Sequence, residues 1–130
     1  MDSKEKCRYA IKLAERAVLY LDDNAKKIVN EAIITALDWI QTECDVAEKL
    51  YNYLDNESNG FTILQESETD EIKISAWNCI IDAIAYVSRK AYEKKEVKYL
   101  PEPLEMADDS IFTHMETSLN NCSLKERKHI

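Results

Sequence analysis

The twelve residues from Asp55 to Glu66, "DNESNGFTILQE", carry side chains whose types and spacing match a known cation chemistry. Asp55, Glu57, Asn59 and Glu66 fall at the first, third, fifth and twelfth positions of the calcium loop D-x-[DN]-x-[DN]-G-x5-E, with Gly60 at the sixth. Such a loop works because a sharp turn at the glycine lets several oxygens converge on one hard cation at about 2.3–2.6 Å. Several features of the chain oppose it. Glu57 stands where a shorter Asp or Asn normally fits, and Thr62 holds the eighth position, where an apolar residue usually pairs two loops. After the glutamate, "SETDE" offers nothing apolar for an exiting helix to bury, and no second copy of the loop exists to partner the first. No metal is therefore expected, and a calcium-binding regulatory module on Asp55, Glu57, Asn59 and Glu66 is the alternative reading.

What the stretch does hold is charge. Residues 55–71 contain Asp55, Glu57, Glu66, Glu68, Asp70 and Glu71 and no Lys or Arg, a local charge of −6 in a chain of net charge −8. Solvation alone accounts for any one of these acids, but together they exceed what capping a helix requires. With Tyr53, which falls off the apolar stripe beside them, they are the candidate surface for a basic partner. The same net charge excludes nucleic acid, whose phosphates demand the opposite sign.

No catalytic constellation accompanies the acids. His114 and His129 are the only histidines, and His114 has no acid four residues earlier to make a metal pair. No nucleophile sits on a glycine-rich elbow, and neither a phosphate loop nor a dinucleotide fingerprint is present. Neither a catalytic residue nor a cofactor is expected. Asp82 and Arg89 lie seven apart and share one side of a helix, which reads as a structural polar strip with Asn78 and Glu93.

The elements that must position these residues are helices. A single Gly and two Pro in 130 residues leave little material for tight turns. Cys7, Ala10, Ile11, Ala14, Val18 and Leu21 follow the spacing of one helical face, and Asp2 with Glu5 forms a capping pair before them. A second stripe runs through Ala25, Ile28, Val29, Ala32, Ile33, Ala36 and Ile40, widened by Leu37 and Trp39, with a cap among Asp22, Asp23 and Asn24. Asp45 with Glu48 predicts a short third helix over Val46, Ala47, Leu50, Tyr51 and Leu54, although the apolar phase also permits one helix through residues 41–46. Residues 56–69 read as a loop with a brief extended piece at "FTIL". Ser67 and Asp70 then cap a helix over about 70–96. That helix is apolar on two sides, with Ile74, Trp77, Ile81, Ile84 and Ala91 on one and Cys79, Ala83 and Tyr86 on the other, so it is expected at the centre. Pro101 and Pro103 end the region, and a last helix over Ile111, Met115, Leu119 and Cys122 begins at Asp108 or Asp109.

The expected fold is all-α, a single compact bundle of about five helices with a long central fourth helix. Residues 1–124 form the domain and 125–130 a frayed tail. No run of about 18 apolar residues exists to span a bilayer, and the charged N-terminus lacks a signal peptide's apolar centre. Cys7, Cys44, Cys79 and Cys122 show no C-x-x-C spacing. A cytoplasmic chain without disulfides or zinc is expected, with its oligomeric state open.

The segments "YAIKLAERAVLYL", "ALDWIQ", "LYNYLDNES" with its following glycine, "AWNCIIDAIAYVSRKAY" and "YLPEPLE" resemble an all-helical family of immunity proteins. Members accompany the toxins of bacterial polymorphic and contact-dependent inhibition systems. The resemblance spans roughly residues 9–105 and leaves the last 25 outside. It implies a non-enzymatic protein that binds a cognate toxin domain in the cytosol and neutralises it, and it supplies no contact residues. Besides the calcium module, the other alternative is a structural subunit of a cytosolic complex, which would leave Cys79, Ala83 and Tyr86 uncovered.

Overall fold

The computed structural model describes residues 1–128, the side chains of residues 127 and 128 excepted. The described residues form six α-helices and no strand: α1 (Ser3–Ala17), α2 (Asp23–Thr42), α3 (Ala47–Leu54), α4 (Phe61–Glu66), α5 (Glu71–Lys94) and α6 (Ile111–Lys128), with short 3-10 turns at Val18–Tyr20 and Glu102–Leu104. The fold is all-α, as the apolar spacing predicts. The segment expected to fray begins inside α6 at Lys125, and residues 129 and 130 lie outside the described residues.

Local chemistry sets the starts of α1, α2 and α5. The Asp2 carboxylate accepts the Glu5 N–H at 2.8 Å, and Asp22 accepts that of Ala25 at 2.9 Å. Asp70 accepts from Ile72 and Lys73 at 2.9 and 3.1 Å, which satisfies donors that the first turn of α5 leaves free. Two expected caps are absent. α3 starts after Val46 with no side-chain cap, because Asp45 instead meets the Lys95 ammonium at 2.9 Å. Ser67 turns back and donates to the Leu64 carbonyl at 3.0 Å. The continuous helix through residues 41–46 does not form: Glu43 closes α2 in the left-handed region, at φ 55°.

The expected loop over 56–69 with an extended "FTIL" is corrected by α4. Six residues make too short a helix to be stable alone, and Gly60 before it offers no capping side chain. Tertiary burial holds it. Phe61 is fully buried, its ring 6.0 Å from that of Tyr53 and 5.2 Å from that of Trp77. Gly60 is required for a different reason than a cation turn. A Cβ there would lie 2.5 Å from the Asn56 nitrogen and 2.8 Å from the Leu54 oxygen, both backbone. With α4 counted, the long central helix is the fifth.

α5 touches every other α-helix. Cys79, Ala83 and Tyr86 are fully buried, as are Ile80 and Ile84, so both apolar sides of α5 are core. The uncovered strip that a structural subunit would show is not there. Full burial of each large apolar side chain stabilises by about 1.5–3 kcal/mol. Small residues let neighbours approach: the Ser88 hydroxyl donates to the Ala47 carbonyl of α3 at 3.2 Å. Leu37, placed on the apolar stripe of α2, is instead 40% exposed.

Polar ties join the ends. The Tyr86 hydroxyl donates to Asp109 at 2.9 Å, and the Lys6 ammonium meets the other Asp109 oxygen at 2.6 Å, so α1, α5 and the start of α6 share one carboxylate. The Lys6 and Tyr86 hydrogen bonds hold the Asp109 pKa below its ordinary value. All four cysteines are free; Cys7, Cys79 and Cys122 are buried and Cys44 is exposed. No helix among the described residues is long and apolar enough to cross a membrane.

Candidate partner-binding surface

The seven residues singled out for a partner belong to one continuous connection from α3 to α5. Tyr53 and the last turn of α3 lead to Asp55 and Glu57 in the turn, Glu66 ends α4, Glu68 and Asp70 form the link, and Glu71 begins α5. Their roles differ. Glu57 and Glu66 are exposed. Asp55 accepts the Tyr51 hydroxyl at 3.1 Å. Glu68 accepts the N–H groups of Thr69 and Asp70 at 3.0 and 3.1 Å, so it and Asp70 are engaged with backbone. Among the described residues one internal base approaches the set, Lys125, at 4.0 Å from Glu71. Tyr53 is half-buried, since its ring stacks on Phe61.

The opposite end of α5 is different. Lys94 reaches Glu43 at 3.4 Å and Lys95 reaches Asp45 at 2.9 Å, while Arg89 and Lys90 pair with Glu93 at 2.9 and 3.5 Å. Positive charge there is largely matched within the fold. Negative charge between α3 and α5 is mostly left to solvent, and exposed pairs are individually weak in any case.

The turn bearing the calcium-like spacing is organised by a residue outside that pattern. Asn56 Oδ1 accepts from the Ser58 and Asn59 N–H groups at 2.9 and 3.4 Å. Among the described residues no group of three or more His, Cys, Asp or Glu side chains is arranged to hold a metal ion.

Beside the acidic connection lies a cavity of about 280 Å³ that the residue spacing did not suggest. α3 contributes Tyr51 and Leu54, the turn after it Asp55, and α5 contributes Ile81, Asp82 and Ala85. Pro103, Leu104, Met106 and Ala107 form a third wall, and Ile111 and His114 of α6 close it. The third wall is held by Arg89, whose guanidinium donates to the Leu104 and Glu105 carbonyls at 3.3 and 2.8 Å. That staple explains why an arginine sits in the polar strip of α5. Asp82 of the same strip has another environment. It also lines a shallower depression of about 370 Å³ with Asn78, His114, Thr117 and Ser118. Burial pushes its carboxyl up to about 6, partly offset by His114, and no hydrogen bond holds its charged form. A carboxylate in an apolar recess with a raised pKa is a mark of sites that bind or react.

Searches of curated proteins and of solved structures each found no match. The family described as "Immunity protein Imm6" matches residues 5–122, from the first turn of α1 through most of α6 and beyond the span on which the resemblance was seen. An all-helical chain matched over nearly its full length in this way belongs to the Imm6 family of immunity proteins.

Proposed function

We propose that this protein captures a cognate toxin domain in the cytosol and blocks its active site or substrate surface, without catalysing a reaction itself. The family match makes toxin immunity the frame. The observation that carries the mechanism is the acidic connection from α3 to α5, which has one internal base near it among the described residues. Exposed carboxylates on a preformed helical body attract a basic surface over distance and speed encounter. A toxin site that handles a polyanion is the kind of surface such a connection imitates. Buried side chains at the contact would then slow release.

The test is co-expression with the product of the neighbouring reading frame, scored by growth, together with binding kinetics on the purified pair. The triple variant Glu57→Lys, Glu66→Lys, Glu71→Lys leaves the capping acids Glu68 and Asp70 in place, so the bundle is expected to stay folded by circular dichroism. Its association rate is expected to fall about tenfold or more at low salt, with most of the salt dependence lost. An unchanged rate removes the acidic connection from the mechanism. Failure of the native chain to protect or bind removes the proposed function.

A further inference from the structure

Resting on the toxin-binding reading, we propose that the cavity between α3, α5 and the 103–107 segment is a socket for one arginine side chain of the toxin. The guanidinium would meet Asp82, and the aliphatic stem would lie along Leu54, Ile81 and Ala85.

Size allows such an occupant. At about 280 Å³ the cavity lies at the small end of ligand-binding recesses, about 300–1,000 Å³, and has room for a single long side chain. Chemistry selects the side chain. The walls are mainly apolar, which suits methylene groups, but the half-buried Asp82 carboxylate has no hydrogen-bond partner among the described residues. An apolar occupant would seal that carboxylate away unpaired, which is strongly unfavourable. A cation supplies the missing partner. A guanidinium does so better than an ammonium, because it is less strongly hydrated and its planar fork can engage both carboxylate oxygens.

The surroundings agree. Asp55 belongs both to the cavity lining and to the acidic connection, so the same approach that brings a basic surface to the connection delivers a side chain to the socket. Met106 is 80% exposed although it borders the cavity, and its flexible thioether can fold over a stem once one is inserted. Arginine in a recess, ringed by contacts that exclude water, is a common form of binding hot spot.

The test needs no toxin. N-acetyl-arginine methylamide is titrated into the isotope-labelled full chain and followed by amide chemical shifts, with the lysine and leucine analogues in parallel. Expected are saturable shifts at Leu54, Asp82, Ala107 and Ile111 with a millimolar dissociation constant, weaker with the lysine analogue and absent with leucine. Asp82→Asn is expected to weaken the arginine analogue by at least about fivefold. Ala85→Met, which fills the recess and keeps the carboxylate, should weaken it as well. Shifts that do not saturate, that map elsewhere, or that leucine reproduces overturn the socket. Because the probe replaces the toxin, an empty socket leaves toxin capture standing. A chain that binds the probe but captures no toxin supports the socket and overturns the function proposed above.

Discussion

Asp82 makes the free protein less stable than a neutral side chain would. Its carboxyl is raised from 3.8 to about 6 by burial, so the folded chain holds that proton more tightly than the unfolded one. The contribution to stability is therefore full below about pH 4 and is lost as pH rises through about 6. Asp82→Asn should stabilise the free chain at pH 7.5 by up to about 3 kcal/mol, reduced by the water that reaches the cavity. The gain should vanish near pH 4, and urea midpoints of the two proteins across that range check it. A loss of toxin binding together with a gain in stability would mark the residue as retained for recognition. At this scale the caps Asp2, Asp22 and Asp70 were legible, because a cap depends on four adjacent residues. Asp82 was legible only as part of a polar strip, since the walls around it come from segments near residues 51–55, 81–85 and 103–114. Gly60 was visible as special, but for the wrong reason: what it avoids is a backbone crossing at Asn56 and Leu54.

Among the elements, the helix ends offer a direct check. Glu96 follows the C-cap of α5 at φ 57°, a conformation in which a Cβ is unfavourable and glycine is the usual residue. Glu96→Gly should stabilise the chain by about 0.5–1 kcal/mol, read as a raised midpoint of thermal unfolding. The same change at Glu43, also left-handed, should gain less, because its carboxylate meets Lys4 and Lys94 at 3.7 and 3.4 Å. The five longer helices were readable from apolar spacing because each carries its own stripe. α4 was not, because its one fully buried residue, Phe61, gives no periodicity, and the helix exists through the rings it packs between. The 103–107 wall was invisible for a related reason: a tertiary tie from Arg89 holds it, and no local pattern announces that tie.

For the molecule as a whole, the placement of α5 against all other helices means that each of them loses part of its packing if α5 leaves. The negative connection at one end of that helix and the internally matched bases at the other give the protein a polarity that a single charge total does not express. The all-α class and the central position of the long helix followed from composition and a two-sided apolar pattern; the recess did not, since it is made of what packing leaves open. The distribution of sulfur carries a last consequence. Cys7, Cys79 and Cys122 sit on three different helices, and burial holds their thiols at about 12, about 12 and about 11. A colourless reagent that reports thiol capture by absorbance should thus consume one equivalent quickly, at Cys44, and three slowly. If the bundle opens as one unit, the three slow reactions will share one rate constant. Unequal rates would instead name the helix that departs first, read from three native sulfur atoms with no label engineered in.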